Sequence, residues 1–144
     1  MKRITLILGM TLAVGIAVGV IGDQVLNAQQ SQPLKVTQLL KADVVGVDGK
    51  EALIRFVEFL PGGASGKHHH PAHTFGYILE GSLTIETEGK PPVTVRAGEA
   101  YQEVPGNVHD AKNLTGSPVK LVVFRVHPKG QPETVRATEP YFVK

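Results

Sequence analysis

Four of the six histidines of this chain lie in one stretch, Gly62-Gly63-Ala64-Ser65-Gly66-Lys67-His68-His69-His70-Pro71-Ala72-His73. Side chains alternate along an extended segment, so His68 and His70 share a face while His69 points the other way. Two imidazoles at this spacing can bind one metal ion. His109 follows the turn residues 105–108 and joins them if the two strands are neighbours. A solvated loop of histidines is the alternative interpretation.

The sequence around this stretch reads as short strands separated by turns. A β-rich run at 51–60 precedes it, and the segments 75–79, 82–88, 93–95, 99–104 and 119–126 follow it, with Gly or Pro at most of the boundaries. Turn signals at this interval, without an amphipathic helical stretch, predict an all-β sandwich or barrel. A helix within Val36 to Lys41 remains an alternative, although no residue caps it.

The composition excludes several classes of protein. The chain has 144 residues, a formal net charge of +2, no cysteine and no basic block. This length allows one domain with a real core. The charge gives no footprint for nucleic acid, and the lack of cysteine excludes disulfides, thiolate nucleophiles and Cys-ligated zinc.

The first 28 residues carry an export pattern. Lys2 and Arg3 precede an uncharged apolar run, Ile4 to Gly22, which as a helix would span about 28 Å, close to a bilayer core. We therefore expect residues 1–28 to be a signal peptide cleaved after Ala28, or a membrane anchor formed by 4–22. A buried core helix is a third alternative. Residues 29–33 read as a polar tether, and 34–144 as an exported, periplasmic or extracytoplasmic domain.

The histidine stretch resembles the first motif of the cupin superfamily, G-x5-H-x-H-x3,4-E-x6-G, on Gly62, His68, His70 and Gly81. The second motif, G-x5-P-x-G-x2-H-x3-N, is similar to the segment that contains Gly98, Gly106, His109 and Asn113. The resemblance to small bacterial cupins implies a double-stranded β-helix, or jelly-roll barrel, with a metal site inside its mouth. It also implies a homodimer.

The resemblance breaks at the glutamate of the first motif. Its position is occupied by Thr74, or by Phe75 with the longer spacing, and neither side chain replaces a carboxylate ligand. The second-motif proline is Val104, with Pro105 one position later. We expect one divalent transition metal (Fe, Zn, Cu, Ni or Mn) on His68, His70 and His109. Three neutral imidazoles leave the charge of the ion uncancelled and favour Zn²⁺, Cu²⁺, Ni²⁺ or Fe²⁺ over Mn²⁺.

Two further residues are candidates for a fourth ligand. Glu103 shares a strand face with Tyr101 and points inward if that face is the inner one; the alternative is an exposed glutamate at the edge of the sheet. His73 joins the site only if the chain bends after Pro71. Glu103 and Tyr101 are also the candidate catalytic residues, although a core position for Tyr101 is the simpler interpretation.

The remaining histidines and aromatic residues have plainer interpretations. We expect His69 to support the site from behind or to be exposed, and His127 to lie on the surface. Phe75 and Tyr77 are expected in the core or at the rim of the barrel.

Three functions remain open at this point. The first is a metal-dependent enzyme, such as a dioxygenase or an isomerase-like enzyme acting on a small oxygenated molecule. The second is a non-catalytic sensor or carrier of a small molecule or metal, and the third is a barrel with a structural metal. The fold alone does not choose among them. The expected partner is a small molecule, with no nucleic acid, and the membrane only through an uncleaved N-terminal segment.

Overall fold

The computed structural model describes residues 33–138, where the alternating sequence forms ten β-strands. These are β1 (Leu34–Asp43), β2 (Lys50–Phe59), β3 (His68–His69), β4 (Thr74–Glu80), β5 (Ser82–Thr87), β6 (Val93–Arg96), β7 (Ala100–Glu103), β8 (His109–Lys112), β9 (Val119–Pro128) and β10 (Val135–Arg136). No helix occurs within this range, so the all-β prediction is confirmed. The expected N-terminal helix and residues 29–32 of the tether lie outside the described residues.

The strands form two five-stranded sheets with antiparallel pairing throughout. The first sheet has the order β1-β2-β9-β4-β7, and the second has the order β10-β3-β8-β5-β6. The turn at Gly81 joins β4 of the first sheet to β5 of the second. Gly81 has φ +78°, and a Cβ at this position would lie 3.0 Å from the Pro118 carbonyl oxygen. Glycine is therefore required here both by the positive φ and by the lack of space for a Cβ.

The core lies between the two sheets and follows the period-2 alternation of the strands. Its buried members are Val57, Phe59, Ile78, Leu83, Ile85, Val95, Ala111, Val119, Leu121 and Val123. Both sheets contribute to this list, since Leu83 and Ile85 come from β5 and Leu121 and Val123 from β9. The alternation of β5 predicted from the sequence is thus confirmed.

Two features of the first sheet differ from expectation. Val36 to Lys41 is part of β1, which pairs along its length with β2, so the helix alternative is wrong. Strand pairing with β2 supplies the backbone hydrogen bonds that an uncapped short helix would lack. Phe75 and Tyr77 lie on the outer face of β4 and are 45% and 49% exposed, because the inner positions of β4 fall on Thr74, Gly76 and Ile78.

Among residues 33–138 there is no helix long and apolar enough to span a membrane.

Candidate metal centre

Three histidine side chains meet between the two sheets. His68 of β3 pairs directly with His109 of β8, and His70 follows β3 by one residue. All three are buried, and one ring nitrogen from each lies within 4.8 Å of the others. The structure therefore brings together the three residues that the sequence selects as metal ligands.

Each of these rings is held by a backbone carbonyl on its Nδ1 side. His68 Nδ1 lies 2.7 Å from the Gly66 oxygen, His70 Nδ1 lies 2.7 Å from the Glu133 oxygen, and His109 Nδ1 lies 2.9 Å from the Asn107 oxygen. A carbonyl only accepts, so each Nδ1 carries the proton and donates it. Each Nε2 is left with a lone pair, which is the form of imidazole that binds a metal.

The Nε2 atoms of His68 and His70 lie 3.2 Å apart. With both protons on Nδ1, neither Nε2 has a hydrogen to donate to the other, so two hydrogen-bond acceptors lie at hydrogen-bond distance. A shared cation removes this conflict. Zn–N bonds of about 2.0–2.1 Å place two nitrogens of one coordination sphere roughly 3–3.4 Å apart, so the observed separation fits a common metal ion.

A row of three polar residues crosses the first sheet beside the histidines. Thr74 of β4 pairs with Glu103 of β7 on one side and with Arg125 of β9 on the other. Arg125 Nε donates to Thr74 Oγ1 at 2.8 Å, and its Nη2 donates to His70 Nε2 at 3.0 Å. The threonine found at the glutamate position of the motif thus accepts a hydrogen bond from a buried arginine.

The carboxylate of Glu103 faces two of the histidines. Its Oε1 lies 3.2 Å from His109 Nε2 and its Oε2 lies 3.5 Å from His70 Nε2, with the side chain 9% exposed. Burial raises the pKa of Glu103, while the positive charge of Arg125 opposes this effect. A carboxylate is therefore present beside the three imidazoles, and it comes from β7 instead of β4.

Burial keeps the imidazoles neutral. It lowers the pKa of His68 and of His109, and together with the charge of Arg125 it lowers the pKa of His70 to about 2. Neutral imidazoles near pH 7 are the form that a metal ion needs. With nitrogen donors, a nearby carboxylate and fixed tautomers, the site fits a divalent transition metal.

A cavity of about 160 Å³ adjoins the histidines. Its polar end is lined by His68, His70, Thr74, Glu103, Arg125 and Tyr101. The other lining residues are mostly apolar and include Val57, Phe59, Leu121 and Val123, together with the polar residues Arg55, Ser65 and Thr134. A cavity with one polar end and apolar walls is typical of a site for a small molecule.

Tyr101 lies over the glycine of the neighbouring strand. It pairs with Gly76, and a Cβ on Gly76 would be only 2.1 Å from Tyr101 Cε1. The ring lines the cavity and also packs against the core, as the simpler interpretation of the sequence had it. Burial raises the pKa of the Tyr101 phenol, so its hydroxyl stays protonated.

The other histidines lie elsewhere. His73 is exposed, with its Nδ1 2.9 Å from Gln102 Nε2, so the structure does not bring it to the cluster. The expectation of a surface position for His127 is wrong, because its side chain is fully buried and its Nε2 lies 2.9 Å from the Gln131 oxygen. His69 is buried as well, which excludes the exposed alternative.

Sequence reasoning missed Arg125 and the segment that holds His70. Arg125 continues the inward alternation of Leu121 and Val123, and a charged residue at such a position was a signal that could have been used. The hydrogen bond from His70 to the Glu133 carbonyl spans 63 residues. A local sequence pattern cannot predict a backbone contact between residues so far apart in sequence.

The comparison with protein families agrees with the resemblance seen in the sequence motifs. The cupin domain model matches residues 55–125 of this chain. No curated protein matches it.

Solved structures share the architecture. An uncharacterized conserved protein with a double-stranded β-helix domain from Klebsiella pneumoniae aligns at 16% identity and a TM-score of 0.61, over 75% of this chain and 89% of its own. Oxalate oxidase in complex with glycolate aligns at 25% identity and a TM-score of 0.58, over 76% and 58%. The DMSP lyase DddQ from Ruegeria pomeroyi aligns at 20% identity and a TM-score of 0.59, over 73% and 52%. The chain thus spans only about half of the two enzymes.

Proposed function

Since this chain carries a cupin domain with three histidines that could hold a metal, we propose that it is a metal-dependent enzyme acting on a small oxygenated molecule. The observation that carries the proposal is the pair of unprotonated Nε2 atoms of His68 and His70, which lie 3.2 Å apart beside a cavity. Unprotonated nitrogens held this close together are arranged for an ion, and the cavity beside them has room for a ligand of that ion.

His68, His70 and His109 would hold the metal, with Glu103 as the fourth protein ligand. Such a metal polarises an oxygen of a bound molecule and, when it is redox-active, exchanges electrons with it. The carboxylate of Glu103 is within 3.5 Å of two of the ring nitrogens and has a raised pKa. Binding of a divalent ion would displace any proton that this carboxyl group holds.

The other residues of the cavity would bind and orient the molecule. The Tyr101 hydroxyl stays protonated, so it can donate a hydrogen bond but cannot serve as a base near pH 7. The apolar walls exclude water from one side of the ligand, which strengthens each electrostatic contact at the polar end.

The relatives support a small substrate. Oxalate oxidase has been solved with glycolate, described as a substrate analogue, and another relative is a DMSP lyase. Glycolate is a small oxygen-bearing molecule. This chain covers only 58% and 52% of these two proteins, so a similar activity is only proposed for it.

We propose in addition that the domain is exported. Lys2, Arg3 and the uncharged run Ile4 to Gly22 support this proposal. The homodimer implied by the resemblance also stays a proposal. It is supported by exposed apolar side chains on the outer face of the first sheet, among them Phe75, Tyr77 and Phe124.

The test of the enzymatic function starts from the full chain purified without an affinity tag. Elemental analysis identifies the resident metal, and the loaded protein is then incubated in air with oxalate, glycolate and lactate. Mass spectrometry and an oxygen electrode follow the products. We expect metal-dependent conversion of at least one of these molecules. If the protein binds one of these molecules tightly and releases it unchanged, the proposed enzyme is instead a carrier. If the protein binds no divalent metal, the proposal is overturned.

A further inference from the structure

Arg125 is a buried cation that lines the cavity, and the proposed function gives it no role of its own. The residue is 8% exposed, and burial lowers its pKa while the carboxylates of Glu103 and Glu133 oppose this effect. A guanidinium is a very weak acid, so it stays charged at neutral pH even where burial lowers its pKa. Its Nη2 donates to His70 Nε2, which is one of the three nitrogens that would face the metal.

Metal binding would take away the acceptor of this hydrogen bond. The lone pair of His70 Nε2 can bind either the metal ion or an Arg125 N–H, but not both. Arg125 Nε remains fixed by Thr74 Oγ1, so the side chain is held in place while its Nη2 loses its partner. A buried charged donor without an acceptor is costly, which favours a ligand that supplies one.

The charges around the cavity lead to the same conclusion. Arg55 forms an ion pair with Glu133, and Arg125 lies close to Glu103, so these four groups cancel in sum. The three imidazoles are neutral. A divalent ion would add two uncompensated positive charges inside a largely buried site. An anion that binds the metal and Arg125 together would offset them.

The size of the cavity suits a small anion. A volume of about 160 Å³ is close to that of an engineered cavity of about 150 Å³ that takes up benzene, so roughly six non-hydrogen atoms fit. The apolar residues that line the cavity suit a short hydrocarbon group. A small monocarboxylate meets both conditions, because its carboxylate matches the planar fork of an arginine.

We propose that Arg125 selects small carboxylates as ligands of this site, with the carboxylate bound by the metal and by the Arg125 guanidinium at the same time. This inference rests on the proposed function, because it needs the metal on His68, His70 and His109. It makes Arg125 the residue that distinguishes a charged ligand from a neutral ligand of equal size.

The test compares lactate with lactamide, which both have six non-hydrogen atoms and a 2-hydroxyl group but differ in charge. Each is titrated into the Co²⁺-loaded full chain, where the visible absorption of the metal reports binding. We expect lactate to bind about tenfold to a hundredfold more tightly than lactamide in the parent protein, as for hydrogen bonds between charged groups. Equal affinity for the two, or no detectable binding of lactate, would overturn the inference.

Variants then assign the preference to Arg125. Arg125→Gln should lower the affinity for lactate to that for lactamide, and Arg125→Lys should retain part of the preference because it keeps the charge. Arg96→Gln, at an exposed position on β6, is the matched control and should bind both probes as the parent does. An unchanged ratio of the two affinities in Arg125→Gln would contradict the proposal.

Metal content, measured on every sample, separates the two hypotheses. A parent that binds no Co²⁺ refutes the proposed metal site. A loaded parent without a preference for lactate refutes the role of Arg125 and leaves the metal site intact. If Arg125→Gln fails to fold, the ratio in the parent and in Arg125→Lys still decides the question.

Discussion

Thr74 and Glu103 are direct partners across β4 and β7, so the carboxylate missing from one strand is supplied by the next. Both side chains line the same cavity, and the Glu103 oxygens lie 3.2 and 3.5 Å from two histidine nitrogens. The site therefore contains a carboxylate, although the motif position that would hold it does not.

The pairing of Thr74 with Glu103 predicts that a carboxylate at either position can bind the metal. Glu103→Gln should weaken metal binding and lower the affinity for Mn²⁺ more than that for Zn²⁺, because Mn²⁺ depends more on oxygen ligands. Adding Thr74→Glu to Glu103→Gln should restore part of the Mn²⁺ affinity. Parallel titrations of both ions into the single and double variants provide the measurement. A Glu103→Gln protein that keeps the metal preference of the parent would show that this carboxylate is not a ligand.

The histidine cluster predicts a sharp dependence of metal content on three positions. Replacing His68, His70 or His109 by Ala should lower metal affinity by more than about 100-fold. Substitutions of residues that only hydrogen-bond to metal ligands already lower metal affinity by about 10- to 100-fold. His73→Ala is the matched control, because His73 is exposed and belongs to the same segment. Elemental analysis after dialysis against a weak chelator is the readout. Equal metal content in all four variants would speak against the site.

Asn113 predicts a large loss of stability without a loss of metal ligands. The side chain is fully buried, and its Nδ2 donates to the carbonyls of Phe59 and Ser117 while its Oδ1 accepts from Thr115. Asn113→Ala should lower the free energy of unfolding by about 2–4 kcal/mol, because it leaves buried groups unpaired. Denaturant unfolding measures this, with the neighbouring Leu114→Ala as control, since Leu114 is 69% exposed. Equal midpoints in the two variants would contradict the assignment.

Gly76 predicts a steric coupling with Tyr101. Because a Cβ at Gly76 would lie 2.1 Å from the Tyr101 ring, Gly76→Ala should destabilise the fold by about 1–3 kcal/mol. In Tyr101→Ala the same glycine substitution should cost less, since the ring is gone. A double-mutant cycle in denaturant measures this coupling. Gly116→Ala serves as the control, because nothing lies within 4 Å of its added Cβ. Additive effects at Gly76 and Tyr101 would mean that the two residues do not compete for space.

The N-terminal pattern predicts export. A reporter that is active only outside the cytoplasm should be active when fused after residue 144, and it should lose activity when Lys2 to Gly22 is deleted. Activity of a reporter that works only in the cytoplasm would contradict the prediction.

The sequence predicted those parts of the fold that depend on local alternation and on the two motifs. Strand β5, the turn at Gly81 and the convergence of His68, His70 and His109 belong to this group. These predictions succeeded because each depends on the period of a strand or on the spacing within one motif. The face that Glu103 shares with Tyr101 allowed an inward position without deciding between it and an exposed edge position, and the structure shows the inward one.

Features that depend on strand register across the barrel could not be predicted from the sequence. The row of Thr74, Glu103 and Arg125 combines three strands that are far apart in sequence, so only the pairing of β4 with β7 and β9 reveals it. The helix alternative for Val36 to Lys41 was wrong because pairing with β2 decides that segment. His127 was misplaced because the contact that covers it comes from the following loop, through the Gln131 carbonyl.

The rings of the three central histidines are oriented by main-chain oxygens of Gly66, Asn107 and Glu133. Every amino acid carries such an oxygen, so point substitutions at residues 107 and 133 leave the orienting atom in place. Insertions and deletions do not, because one residue more or fewer between β9 and β10 would move a different carbonyl opposite His70. For the orientation of His70, natural variation in this loop should therefore be less restricted in composition than in length.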